Sequence, residues 1–550
     1  MRLAILGSYS TQILTKSIRN LKNEWEIYEA DYSQIDFEIF NDNSHLYRFK
    51  PDVIVIHETS ISFKKKYYGT SNFDNDYYKS CIARLEKLMH KLAQVLPNVK
   101  IIYPTLDFSC DMTFGNYFFK IPESLDAQLH YFNFELTQLA LKKQNLFLID
   151  INNLACQFHP IRDSRLVVTT DIHFTVNFTE QIALSLIGIM NAISGKFTKC
   201  VILDLDNTLW GGIIGEDGLE GIQIGDLGIG RAFSEFQLWL KLLKERGIIL
   251  CVCSKNNEEL AKKPFTEHPD MILSLDDFTV FIANWDNKVE NIHRIKDILN
   301  IGFDSIVFLD DNAIERDMVK SAINEIIVPE LPNDPALYKD YLIKENLFEI
   351  TNYSKFDNER TKRYQQETER RTLKHSSFNI NDYLKSLNMR AAFQMASNEI
   401  IPRLSQLTQR TNQFNARVIR YDEERIRKIS LNKNYLVIGF NLEDKFGTYG
   451  LVSLVILRIL STNSIFIDTF TMSCRVFNRG FEYFIVNHIK DIMERRNFKN
   501  LVAEWIPTNK NSLINEFYSN LGFKKFKNNK SSLKLNNIKL KNYFIKEVDQ

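Results

Sequence analysis

Val201–Gly218, VILDLDNTLWGGIIGEDG, is the stretch from which the fold is read. Its apolar opening, Val201, Ile202 and Leu203, reads as a buried parallel strand feeding an acidic turn. Asp204, Asp206 and Thr208 follow at alternating positions. Residues two apart in an extended segment project to one side, so both carboxylates can face a single site. Two ionised carboxylates that close repel each other unless a cation lies between them. All-oxygen surroundings suit Mg2+, which often binds one or two carboxylates together with a substrate phosphate. Short acidic patterns also arise in surface turns, so this one is moderately specific by itself.

Three later stretches add to it. Ile248–Ser254 (IILCVCS) is an apolar strand ending in a hydroxyl, followed by Lys255 and Asn256. Lys288 lies in NWDNKVENI at the start of a helical pattern, and the strand Ile306–Leu309 runs into Asp310 and Asp311. Three of these groups fall at carboxyl ends of predicted strands, the edge where open α/β sheets bind ligands. Their order and content resemble the haloacid dehalogenase (HAD) phosphatase superfamily. The resemblance implies that Asp204 attacks phosphorus and that Asp206 works as acid and then base. It implies that Thr208, Ser254, Lys255, Asn256 and Lys288 hold the phosphoryl group. Mg2+ would sit among Asp204, Asp206 (through its backbone carbonyl) and Asp310 or Asp311, with the choice within that pair left open.

The chain has 550 residues, enough for about three or four domains. Its net charge of +1 offers no general attraction to nucleic acid or anionic membrane. No uninterrupted apolar run reaches the roughly 18 residues of a membrane span. MRLAILGSYS reads as a first strand rather than a signal peptide, and the expected location is cytoplasmic. The seven cysteines lack metal-ligand spacing and read as reduced thiols.

Residues 1–195 alternate short strands (Leu3–Leu6, Val53–His57, Lys100–Tyr103, Leu146–Ile149) with helical patterns, a doubly wound α/β signature. Gly7-Ser8 after the first strand and Asp171-Ile172-His173 near the end resemble an SGNH-type hydrolase, with Ser8 as nucleophile and His173 as base. The usual D-x-x-H is shortened to D-x-H, and Ser8 also fits as a helix cap. A partner-binding or supporting role is the preferred reading. Residues 196–345 form the HAD-like domain, with Gly211–Gly230 expected as a hairpin flap and too little chain for a large cap over the site. An open site of that kind admits a macromolecule or a tethered arm.

DLDNTLWGGIIGEDG, SKNNEE, HPDMIL, NWDNKVENI, FLDDNAIER and VPELPNDP together resemble the FkbH-like subgroup of HAD proteins. That resemblance implies loading of a glyceryl unit from 1,3-bisphosphoglycerate, a glycolytic acyl phosphate, onto an acyl carrier protein. Residues 346–400 (DNERTKRYQQETERRTLK) read as a charged helical connector with a solvated face. Residues 400–550, which end in a basic tail, resemble a GNAT-type acyltransferase. Its strand-to-helix loop, Arg475 to Gly480 and including Arg479, departs from the usual GNAT glycine pattern. A carrier's phosphopantetheine arm is therefore expected there rather than whole coenzyme A. Cys474 precedes this loop, where cations and a helix N-terminus would favour thiolate; a packing cysteine is the alternative.

The expectation is thus a multidomain α/β protein: a doubly wound SGNH-like domain, a HAD-like Rossmannoid domain and a GNAT-like α+β domain. Its expected work is phosphate removal coupled to glyceryl loading. The competing readings are a phosphatase for another phosphorylated small molecule and a non-catalytic scaffold that docks carrier proteins.

Overall fold

Short runs of Val, Ile and Leu, each closed by a turn, build three sheets in the computed structural model. It describes residues 1–69, 74–108, 112–353, 366, 379–526, 530–538 and 543–548. The chain divides into two units, Met1–Ala192 and Ile193–Gln550.

In the first unit β1 (Arg2–Gly7), β2 (Glu26–Glu29), β3 (Val53–His57), β4 (Lys100–Pro104) and β5 (Leu146–Ile149) pair in parallel in the order β2-β1-β3-β4-β5. Leu3–Leu6 and Val53–Ile56 are buried on both faces, which is why they read as continuous apolar runs. Helices such as Tyr77–Val95 and Leu125–Lys142 cover the sheet, giving a doubly wound fold. Among the described helices, Val176–Ile193 alone has the length and composition for a membrane span, and half of it is buried. Its Phe178, Ile182, Leu186 and Met190 pack inward as a core face.

The second unit opens with a four-stranded parallel sheet, ordered β8-β7-β6-β9. It comprises β6 (Cys200–Leu203), β7 (Ile249–Ser254), β8 (Phe278–Ala283) and β9 (Ile306–Leu309). Gly211–Gly230 is not a hairpin flap. A single antiparallel bridge, Gly211 to Gln223, closes a short helix, Ile214–Gly221, and a long helix, Gly228–Glu245, follows. The reason is local: the Ile213 and Ile214 N–H groups donate to Asp217 (2.7 Å) and Asp206 (3.1 Å). Carboxylates that satisfy the first N–H groups favour a helical turn. Gly218, at φ 67°, breaks that helix.

The remaining eight strands form one sheet in the order β15-β16-β14-β13-β12-β11-β10-β17. They are β10 (Met389–Met395), β11 (Tyr435–Asp444), β12 (Gly447–Ser461), β13 (Ser464–Met472), β14 (Asn500–Glu504), β15 (Lys524–Phe526), β16 (Lys530–Lys534) and β17 (Ile545–Glu547). The parallel pair β13 and β14, joined by helix Phe481–Arg495 within a largely antiparallel sheet, is the GNAT-like element. Two expectations change. The 346–400 connector contains β10, and DNERTKRYQQETERRTLK lies outside the described residues apart from Gln366. The basic tail supplies β15, β16 and β17, whose three to five residues are too short to show periodicity.

Candidate active site

The parallel strands of the second unit deliver their polar side chains to one edge. Asp204 follows β6, and its N–H donates to the Leu309 carbonyl at the end of β9 (2.9 Å), which locks the two acidic turns together. The ammonium of Lys288, at the start of helix Lys288–Leu299, lies 3.0 Å from Asp204 Oδ1 and 2.6 Å from Asp310 Oδ2. Asp204, Asp310 and Asp311 each offer a carboxylate oxygen within 4.8 Å of the others. Thr208 ties in Asp311 by accepting its N–H at 3.2 Å. Ser254 closes β7, buried.

Among the described residues, three carboxylates gather about the one ammonium of Lys288 in a largely buried place. Burial and the charge of Asp204 push Asp310 up to about 6, against the pull of Lys288. The same two causes raise Asp311. Burial works against the Lys288 ammonium, but Asp204 and Asp310 hold its pKa above the ordinary lysine value. An oxygen-only donor set that is destabilised when fully ionised fits a hard divalent cation.

Asp206 stands apart from this carboxylate group. Its Oδ1 accepts from Trp210 Nε1 (3.0 Å) and the Ile214 N–H, and its Oδ2 accepts from Asn256 Nδ2 (3.1 Å). Burial raises its pKa while the Ile214 and Trp210 bonds oppose the rise, which suits a carboxyl that must take and give a proton. Asn256, expected on phosphate, thus holds Asp206. Lys255 pairs with Glu315 at 2.5 Å. Two contributors went unread in the sequence. Trp210 follows Asp206 by one helical spacing, a signal that was available. Buried Arg316 grips the carbonyls of Asp310 (2.9 Å) and Asp311 (2.7 Å), a backbone contact that no residue pattern announces.

The comparisons with known proteins bear on this site. The family model described as FkbH, N-terminal domain, matches residues 2–191. The crystal structure of the N-terminal part of a Bacteroides fragilis protein, containing a phosphatase domain and complexed with Mg, is 41% identical. It covers 64% of this chain and 94% of its own, with a TM-score of 0.61. The chain belongs to the FkbH-like family. No curated protein matches it. Two acetyltransferases align with the C-terminal region: the ribosomal-protein-S18-alanine N-acetyltransferase of Escherichia coli and a GNAT-family enzyme of Staphylococcus aureus Mu50. Each is 14% identical over 26% of this chain, and they are covered to 94% and 99% respectively, with TM-scores of 0.21. Scores that low carry no argument, and the GNAT-like assignment rests on the β13–β14 arrangement.

The FkbH-like chain does not assemble a hydrolase triad in its first unit. Ser8 donates to Ser62 (2.7 Å), Ser62 meets Thr59 (3.3 Å), and Thr59 meets His173 Nδ1 (2.8 Å). Asp171 occupies His173 Nε2 at 3.0 Å. Both ring nitrogens are therefore engaged, two hydroxyls separate the imidazole from Ser8, and Ser8 and His173 are 5% and 2% exposed. Nor does Cys474 meet a helix N-terminus. It begins a single 3-10 turn, Cys474–Val476, and the α-helix starts only at Phe481 after Gly480. Arg479 turns inward, over the Tyr449 ring and 3.9 Å from Asp444, while Arg475 donates to the Ser473 hydroxyl.

Proposed function

We propose that this FkbH-like protein is a Mg2+-dependent phosphatase that makes a glyceryl thioester on an acyl carrier protein, in the cytoplasm. The observation that supports it best is the Asp204–Lys288–Asp310–Asp311 cluster at the carboxyl edge of the parallel strands. Between Asp204 and Ser254 the chain forms two helices and short bridges, too little for a large cap of its own over the site. Asp204, Asp310 and Asp311 would hold the Mg2+, which when bound offsets phosphoryl charge. Asp204 attacks the phosphorus of the 3-phosphate, and the bond between phosphorus and the glyceryl ester oxygen breaks, that oxygen keeping the electron pair. Asp206 protonates the departing oxygen and then takes a proton from the water that frees phosphate from Asp204. Lys288 and Ser254 hold the phosphoryl oxygens.

Thioester formation needs different chemistry. Attack on the phosphorus of the acyl phosphate would leave an unreactive carboxylate. A thiol sulfur must instead attack the acyl carbon of 1,3-bisphosphoglycerate. The S–C bond forms, the C–O bond breaks, and phosphate leaves with the electron pair while the thiol proton passes to solvent. The thiol is that of Cys474 or of the carrier's phosphopantetheine arm.

Intact-protein mass spectrometry after mixing protein, Mg2+, 1,3-bisphosphoglycerate and a phosphopantetheinylated carrier tests this. A glyceryl adduct without phosphate is expected. Phosphate release with no adduct on several carriers would leave the plain phosphatase reading. Carrier binding that survives Asp204→Asn, with no turnover in the wild type, would leave the scaffold.

A further inference from the structure

Two motifs quoted from the sequence, FLDDNAIER (Phe308–Arg316) and VPELPNDP (Val328–Pro335), each hold a charged residue that the chemistry above does not use. They are Arg316 and Glu330, and in the structure they meet beside the Asp310–Asp311 turn.

Strand pairing brings them there. Ile327 lies beside Val307 in a parallel bridge. The Phe308 N–H donates to the Ile327 carbonyl (2.9 Å), and the Ile327 N–H to the Ile306 carbonyl (3.0 Å). Glu330 lies three residues past Ile327, as Asp310 lies three past Val307, so both fall at the carboxyl edge of the sheet. Helix Ala313–Ala322, capped by Asn312, follows the turn and carries Arg316.

The turn is held from two directions. Asp310 Oδ1 accepts the Asn312 N–H (3.0 Å), its Oδ2 meets Lys288, and the Asp311 N–H donates to Thr208. Arg316 Nη1 donates to both carbonyls, Asp310 at 2.9 Å and Asp311 at 2.7 Å. Two carbonyls drawn to one nitrogen fix two successive peptide planes, and those planes set where the two carboxylates point. The other side of the guanidinium lies 3.3 Å from Glu330 Oε2, and Glu330 Oε1 meets Lys320 at 3.3 Å. The clamp thus runs from a buried turn to a half-exposed carboxylate. Tyr338, farther along the same segment, donates its hydroxyl to the Asn207 carbonyl (3.2 Å) in the turn after Asp204. Residues 328–338 therefore steady both acidic turns.

A cation near a metal site repels the metal, so charge alone gives no reason for an arginine here. Glu330 offsets that charge, and the planar fork reaches carbonyls and carboxylate together, which an ammonium does not. We propose that Arg316, anchored by Glu330, is a positioning residue that sets divalent-metal affinity by holding the Asp310–Asp311 turn. The inference rests on the metal-dependent reading of the site and needs no particular substrate.

Metal titration of the full-length protein without substrate tests it, with Mn2+ followed by electron paramagnetic resonance and Mg2+ added as competitor. Groups that orient a metal ligand typically contribute about 10–100-fold in affinity, so Arg316→Gln should raise the Kd for Mg2+ ~10-fold or more. Arg316→Lys keeps the charge without the fork and should raise it comparably, with the number of bound ions unchanged in both. Glu330→Gln loses the anchor and the offsetting charge together, so its affinity should fall as well. That exposed position decides the matter where an Arg316 variant does not fold. Arg231→Gln, which breaks an exposed pair with Glu235, is the control and should bind as wild type. Unchanged or tighter binding in Arg316→Gln, or full affinity in Arg316→Lys, would overturn the clamp. So would fewer bound ions at wild-type affinity, or wild-type affinity in Glu330→Gln. Wild-type protein that binds no Mn2+ would sink the metal reading and the clamp with it. Binding that follows these expectations without phosphate release would sink the phosphatase reading alone.

Discussion

The first unit and the HAD-like part each place polar side chains where parallel strands end, and the two clusters are finished differently. Ser8 follows β1, as Asp204 follows β6. Around Ser8, hydroxyls and imidazole bond to one another in a chain that ends at Asp171, and Asp107 is matched by Arg162. The Tyr9 ring stacks on His173 at 4.9 Å and helps to seal the group. Around Asp204, the Lys288 ammonium pairs with two carboxylates, and a third, Asp311, lies beside them as a candidate metal ligand. Similar placement in two parallel sheets therefore supports different roles. Charge balance, rather than position, separates packing from chemistry.

The sharpest way to break this contrast is at the two leading residues. Asp204→Asn should lower phosphate release by on the order of 10³-fold or more, as expected for a lost nucleophile, while Ser8→Ala changes it less than about twofold. Comparable losses from both, measured by phosphate release, would erase the distinction. Chelation comes next: EDTA should abolish release, and added Mg2+ should restore it. Lys288→Met leaves Asp204 and Asp310 facing each other without their ammonium. Breaking a buried pair in this way costs about 3–5 kcal/mol, which a urea midpoint would show in metal-free protein. Trp210→Phe removes one donor from the ionised form of Asp206. It should lower kcat ~10-fold and move the limb of the pH profile set by Asp206 to higher pH.

The smallest effect concerns the sealed cluster. Burial and the neighbouring charge of His173 push His57 down to about 3. Burial also lowers His173, against the pull of Asp171. The unfolded chain therefore binds more protons below the ordinary histidine value of 6.5. The stability of the first unit should be full above that pH and fall as pH drops toward 3. Limited proteolysis across that range should show accelerating cleavage within residues 1–192, with a shallower dependence in His57→Gln.

Much of the HAD-like site was legible because strand ends and acids are adjacent in sequence: Leu203 runs into Asp204, and Leu309 into Asp310. What escaped depends on contacts between distant residues. Asn256 reaching Asp206, Thr59 and Ser62 coming between Ser8 and His173, and Glu330 meeting Arg316 are set by packing rather than spacing. The Gly211–Gly230 error had a narrower cause. Its glycines suggested turns, but Asp206 and Asp217 supply acceptors that begin a helix instead.

The most direct test of the central claim is a single comparison of phosphate release with Mg2+ by four proteins: wild type, Asp204→Asn, Ser8→Ala and His173→Ala. A 3-phosphorylated glyceryl substrate would be used for all four. The account predicts release by wild type and by both first-unit variants, and none above background from Asp204→Asn. Undiminished release by Asp204→Asn, or loss confined to the first-unit variants, would contradict it.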